Sequence, residues 1–163
     1  MTDLPSYPEE AAEREAAHAA QAPTSADRRL SSWGRRLAAY LLDTLIIIVP
    51  LFALIAVFAA VDVWAIVIVA YIATIVAPFV YFTFFHGDAR GQTPGKRVLG
   101  IRVTGDETGS SIGYGRAFGR YAITFVFGFF VLPVILDYLW PLWDSKNQAL
   151  HDKVVGSVVE RSF

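Results

Sequence analysis

The sequence predicts an all-α integral membrane protein built on three hydrophobic helical segments. Apolar residues make up 55% of the 163-residue chain and charged residues 18%, against roughly 45–50% and about 25% in an average soluble domain. The apolar residues are also gathered rather than spread. From Leu37 to Ala60 the only charge is Asp43, from Val63 to Phe85 there is none, and from Tyr121 to Leu136 there is none, the last run continuing past Asp137 to Trp140. Each run approaches or exceeds the roughly 20 residues that carry a helix across a hydrocarbon core of about 30 Å. A soluble domain of this length covers one such helix, not three.

Residues 1–32 read as a disordered polar tail. They carry Asp3, Glu9, Glu10, Glu13 and Glu15 and are punctuated by Pro5, Pro8 and Pro23, a composition that offers no continuous apolar face. The remainder, 33–161, reads as one membrane domain with helices over about 37–60, 63–85 and 117–143. The first apolar run is longer than a signal-peptide core and begins well into the chain, so it is expected to be a retained helix. The absence of cysteine leaves no disulfide, thiolate metal site or palmitoylation site.

Ser31 or Ser32 suits the start of the first helix, and Trp33 suits the membrane interface, with Arg35 and Arg36 on its polar side. Val61-Asp62-Val63 is the whole connection to the second helix, which requires a tight antiparallel hairpin. The second helix ends in the aromatic belt Tyr81–Phe85. Beyond it, Arg90, Lys96, Arg97 and Arg102 make the following loop basic. By the positive-inside rule this loop and the N-terminus face the cytoplasm, in a multi-pass protein of the cell membrane. Val98–Thr104 reads as a strand and Gly105–Gly109 as a turn; Val154–Glu160 reads as a second short strand. The third segment, with Gly128 and Pro133, is expected to be a single tilted span. The basic C-terminal residues Lys146, Lys153 and Arg161 favour the other path, a bent segment with both ends on one side.

Asp43 is the most informative single residue. A carboxylate in a membrane helix costs on the order of 2.5–3.5 kcal/mol on insertion scales and therefore has a partner or faces water. Arg36, Tyr40 and Asp43 fall at i, i+4 and i+7 on one helical face, so the three form either an ion-paired staple or a cation or proton site. Arg116 and Arg120 stand where the third segment enters the bilayer, as phosphate anchors or, for Arg120, as a partner of Asp43 or Asp137. Asp137 itself reads as a solvated residue at the membrane interface. Thr93-Pro94-Gly95-Lys96-Arg97 is not a phosphate loop, because the glycine spacing is one short and Arg97 stands where Ser or Thr would bind magnesium; Lys96, Arg97 and Arg116 are read as headgroup contacts. His86 with Asp88 and His151 with Asp152 are each too few for a metal site. No nucleophilic arrangement is visible, so no enzyme, cofactor or metal is expected. The expected surroundings are a lipid bilayer and a homo-oligomer or membrane-protein partner, with no nucleic acid.

Four pieces together resemble a known family: Gly34-Arg35-Arg36 through Leu42-Asp43, Gln92-Thr93-Pro94-Gly95-Lys96-Arg97 through Val103, Arg116 to Arg120, and Gln148-Ala149-Leu150-His151-Asp152 through Val159. In order and spacing the chain resembles the RDD family of membrane proteins over about residues 33–160. The family is named for one arginine and two aspartates, which the resemblance places at Arg36, Asp43 and Asp152. Gly156-Ser157 departs mildly from the usual Gly-Thr. The resemblance implies either a small transporter or transporter subunit, with cations coupled to protons at Asp43, or a non-catalytic scaffold or accessory subunit of a larger complex. Access of water to Asp43 separates the two readings.

Overall fold

The computed structural model describes residues 28–59 and 64–162. The expected tail up to residue 27 and the expected turn at Asp62 lie outside the described residues. Helix α1 spans Trp33–Ala59 and helix α2 spans Trp64–Gly87. Their stretches Trp33–Val57 and Ile68–Gly87 are long and apolar enough to cross a membrane, and only 6% and 11% of their most apolar windows are buried. That low burial decides how to read them, because the core helix of a soluble protein would be covered. Here Leu45, Val49, Phe52, Val57, Ile68, Val69, Ile72 and Val80 all stand exposed, a continuous apolar surface of the kind that water does not tolerate.

The third apolar stretch does not form a single span. It is helical over Gly113–Phe127, here α4, and again over Val131–Leu139, here α5, followed by a 3-10 turn at Trp140–Leu142. At about 1.5 Å per residue neither helix crosses a bilayer core. The break has a local cause. A continuous helix would set Pro133 opposite the carbonyl of Phe129, where its ring clashes and its missing N–H leaves that carbonyl unpaired. Phe130 instead adopts extended backbone, φ −126° and ψ 123°, and the helix restarts at Val131. Pro133 then falls in a first turn, where an N–H has no intrahelical partner anyway.

The chain therefore turns back. The Trp33 indole, at the start of α1, donates a hydrogen bond of 2.8 Å to the carbonyl of Tyr138 near the end of α5. On its outward leg α4 packs against α2 through aromatic rings, with Phe79 centroids 4.8 Å from Tyr121 and 5.1 Å from Phe125. The bent path, not the tilted span, is the one observed.

The loop after α2 contains the short helix α3, Pro94–Val98, and strand β1, Ile101–Gly105. Helix α6, Leu150–Val155, precedes strand β2, Ser157–Arg161. The two strands pair antiparallel, from Ile101 opposite Arg161 to Gly105 opposite Ser157. Both strands begin later than the alternation suggested, because Val98 and Val154 belong to the short helices that precede them. Residues 28–32, which the sequence assigned to the tail, lie on this sheet: Leu30 bridges to Glu160, and the Ser31 amide donates to Val159 at 2.8 Å. Ile101, Val103 and Val159 join Ala39, Ile112 and Ala117 in one small core under the polar ends of the helices. The fold is thus mostly helical, with a two-stranded sheet closing one end.

This arrangement predicts that the loop after α2 and the C-terminus share one side of the membrane. The native chain has no cysteine, so single-cysteine variants Arg90→Cys and Ser162→Cys report cleanly. A membrane-impermeant maleimide added to sealed vesicles is expected to label both from the same side; labelling from opposite sides would restore the single span.

Candidate functional site

Asp43 lies fully buried in α1, and its carboxylate is held by groups from two other elements. Oδ1 accepts from the Tyr81 hydroxyl at 2.8 Å and from the Gly95 amide at 2.7 Å, and Oδ2 accepts from the Thr93 hydroxyl at 2.5 Å. The local sequence explains the geometry. Thr93 caps α3, its oxygen also accepting from the Lys96 amide at 3.2 Å, and Pro94 follows at the first helical position, where proline is preorganised. Gly95 is required for close approach. A Cβ there would collide with the carbonyl of Ala39 and come within 2.7 Å of Asp43 Oδ1. The carboxylate thus fastens the loop helix onto α1.

Asp152 does the same work for the C-terminal segment, with charges. It too is fully buried. Oδ2 pairs with Arg36 at 2.7 Å and accepts from the Ala149 amide at 3.1 Å; Oδ1 pairs with Arg120 at 2.7 Å and accepts from the Ser157 hydroxyl at 3.0 Å. Burial by itself would push this carboxyl up, but the guanidiniums of Arg120 and Arg36 outweigh it and hold the group well below the usual carboxylate range. A third buried aspartate, Asp137 of α5, accepts from the His151 amide at 2.9 Å and meets His151 Nδ1 at 2.6 Å. With Nδ1 donating to that carboxylate, Nε2 is left to accept from Arg120 at 3.2 Å. Asp137, His151, Arg120, Asp152 and Arg36 form one connected chain through four helices.

Above this chain lies a cavity of about 150 Å³ between α1, α2, α4 and α5. Arg36, His86, Lys96 and Arg120 line it, with Tyr40, Phe82, Tyr121 and Tyr138 among its walls. Lys96 is 7% exposed, and among the described residues no carboxylate forms a salt bridge with it. Burial first, and then the neighbouring Arg120, lower its pKa to about 7, although Asp43 pulls the other way.

Several expectations change in this setting. Arg36, Tyr40 and Asp43 share a helix face, but Arg36 does not pair with Asp43. Its arginine reaches Asp152 instead, because all of the Asp43 donors come from α2 and α3. Arg120 likewise pairs with Asp152 rather than with Asp43 or Asp137. Tyr40 lines the cavity and packs on Tyr138 at 5.4 Å. Lys96 is no headgroup contact, since the N-cap at Thr93 turns it inward; Arg97, next to it, is exposed. Arg116 is exposed but committed to protein, donating to the carbonyls of Val155 at 2.8 Å and Gly156 at 2.6 Å. It thereby caps α6, whose end is marked by Gly156 in the left-handed region, φ 63°. Asp137 is not solvated at an interface but sealed. Sequence reading weighed Thr93 and Gly95 only as a phosphate loop and His86 and His151 only as metal ligands, and missed the roles they have here. The Thr-Pro pair before a short helix was the available signal for the first two; the aspartates near the histidines in sequence did not show which segments they would meet.

Among the described residues no group of three histidine or acidic side chains is placed to hold a metal ion.

Comparison with known proteins bears on the same residues. The model described as "RDD family" matches residues 30–156. Among curated proteins, the "Proline-rich antigen" of Mycobacterium leprae (strain TN) is 37% identical over 70 residues, 43% of this chain and 27% of that protein. The "Proline-rich antigen homolog" of Mycobacterium tuberculosis (strain ATCC 25618 / H37Rv) is 35% identical over 68 residues, 42% of this chain and 27% of that protein. The matched region thus spans about a quarter of the length of these relatives. No solved structure matches the chain.

Two predictions follow from the site itself. Gly95→Ala is expected to destabilise by about 1–3 kcal/mol, the range of overpacking substitutions, read as a lower midpoint of thermal unfolding in detergent. Lys96 carries the opposite kind of signal. Its folded pKa, about 7, lies below the unfolded value of about 10.4. The unfolded chain therefore binds more protons in between, and stability rises with pH across that window. Lys96→Met should flatten this rise, with its largest stabilisation over the wild type at and below pH 7, measured as the difference in unfolding midpoint from pH 6 to 10.

Proposed function

The chain belongs to the RDD family, and from that premise we propose that it is a non-catalytic accessory or scaffold module of the cell membrane. In this reading its charged residues hold a fold together and do not carry ions. Its two long apolar helices cross the bilayer, and its sheet and short helices form a head on the cytoplasmic side, the side assigned to the basic loop by the positive-inside rule.

The supporting observation is the environment of Asp43. A carboxylate that exchanges protons or cations needs an aqueous approach and free acceptor sites. Both Asp43 oxygens are taken by Tyr81, Thr93 and Gly95, and the side chain is fully buried without lining the cavity. The rest of the helices point the same way. Between Thr44 and Ala59, and between Trp64 and Phe85, there is no Asp, Glu, Lys, Arg or His. An ion leaving Asp43 would face more than 20 Å of apolar helix, at about 1.5 Å per residue, with no side chain to replace its hydration. Cation exchange coupled to protons at Asp43 is therefore the weaker reading of the family resemblance.

Reconstituted proteoliposomes separate the two. The wild-type chain is expected to give no cation-dependent proton flux above empty liposomes. Asp43→Asn is expected to insert normally but unfold at a lower temperature. A wild-type flux that disappears in Asp43→Asn while the unfolding temperature holds would replace the scaffold with an exchanger.

A further inference from the structure

The buried head of the protein has a surplus of one kind of hydrogen-bonding group. Every carboxylate near the cavity has its oxygens engaged by protein donors: Asp43 by Tyr81, Thr93 and Gly95, Asp152 by Arg36, Arg120, Ala149 and Ser157, and Asp137 by His151. The guanidinium N–H groups and the ring of His86 are not matched in return. Arg36 Nε and Nη2, Arg120 Nη1 and both ring nitrogens of His86 are buried without a hydrogen-bond partner among the described residues. Arg120 is 6% exposed, His86 5% and Lys96 7%, and with Arg36 all of them line the same cavity. Buried donors without partners cost on the order of 1–3 kcal/mol each, more when charged. Three such residues around one space, with the buried Lys96 beside them, are the arrangement expected of a site for an acceptor-rich, negatively charged group.

The walls add a second requirement. Besides Arg36, His86, Lys96 and Arg120, the polar lining includes Thr124, His151 and Asp137, whose two oxygens are both taken by His151, and the apolar walls are Trp33, Leu37, Phe82 and the rings of Tyr40, Tyr121 and Tyr138. It also lies between the helices that carry the exposed apolar surface, at their polar end. A small hydrated anion would satisfy the guanidiniums but leave the aromatic walls wet. An anionic head on an alkyl chain satisfies both.

We propose that this cavity binds an anionic amphiphile, its phosphate or carboxylate on Arg36, Arg120, Lys96 and His86 and its first methylenes against the tyrosine and phenylalanine rings. Guanidiniums already held in place by Asp152 present their remaining N–H groups without further ordering, which favours recognition of such oxyanions. The bilayer supplies this chemistry as an acidic phospholipid and also as a free fatty acid. The site is separate from Asp43, and it stands whether the protein serves as a scaffold or transports.

Native mass spectrometry of the full chain, released from phosphatidylcholine nanodiscs doped with either phosphatidylglycerol or oleate, tests the proposal. One anionic amphiphile should stay bound per wild-type chain. Lys96→Met, which removes a cavity cation outside the ion-pair network, should lower retention about tenfold, while the exposed neighbour variant Arg97→Gln should retain it like the wild type. Thermal unfolding of each variant at pH 7 verifies that the fold is intact. Retention of phosphatidylglycerol alone assigns the site to a membrane lipid, and retention of oleate alone to a free fatty acid; either supports the proposal. Retention of neither, leaving a cavity filled with water only, would overturn it, and so would equal retention by Lys96→Met and the wild type.

Discussion

The closing of this fold depends on Asp152. Its carboxylate is the one point where the start of α1, the start of the broken third segment and the C-terminal helix meet, through Arg36 and Arg120 at 2.7 Å each. Two guanidiniums near a membrane have no low-energy buried state without a counter-charge, and a fully buried carboxylate has none without donors. Each therefore compels the others to stay. Removing one member of such a group leaves an uncompensated buried charge, a loss of about 3–5 kcal/mol in comparable cases. That is a large share of the stability of a domain this small, and it is concentrated where the chain has little apolar core to hold it: Ala39, Ile101, Val103, Ile112, Ala117 and Val159.

The two aspartates of the Arg-Asp-Asp set thus do parallel jobs by different chemistry. Asp43 is satisfied by neutral donors, a phenol, a hydroxyl and a backbone amide, and so ties α2 and α3 to α1 without drawing a cation into the bundle. Asp152 is satisfied by charge and ties α4 and α6 to α1. This division explains why Arg36 ignores an aspartate on its own helical face. Asp43 has no oxygen left to offer, and Asp152 arrives from a strand-forming tail that the arginine can reach at the membrane surface.

Much of this was legible in the sequence because it is written in local patterns. Apolar run length gave both long helices, alternation gave the two strands to within a few residues, and an isolated acid in an apolar run singled out Asp43. What stayed hidden depends on which segments meet. Lys96 and Arg97 are indistinguishable by composition, yet the turn imposed by Thr93 and Pro94 buries one and exposes the other. Asp137 sits next to tyrosine and tryptophans that suggest an interface, and only the return of α5 beside α1 places it against His151. The path of the third segment was underdetermined for a physical reason: its length suits a span, and the penalty at Pro133 decides against one only once the tail has a partner to return to.

That return also accounts for the uneven distribution of polarity. A single span would have carried Asp137, His151 and Asp152 to the far side, away from Arg36 and Arg120, and separated Asp152 from both of its arginines. Bending at Gly128–Phe130 brings every Asp, Glu, Lys, Arg and His side chain of the described helices to one end and leaves the other end without a charged residue. The gathered cations then exceed what three aspartates, each already surrounded by donors, can accept hydrogen bonds from. The spare N–H groups at the cavity are a direct consequence of the clamp: Asp152 holds Arg36 by Nη1 and Arg120 by Nη2, one nitrogen of each, and leaves Arg36 Nε and Nη2 and Arg120 Nη1 buried without a partner.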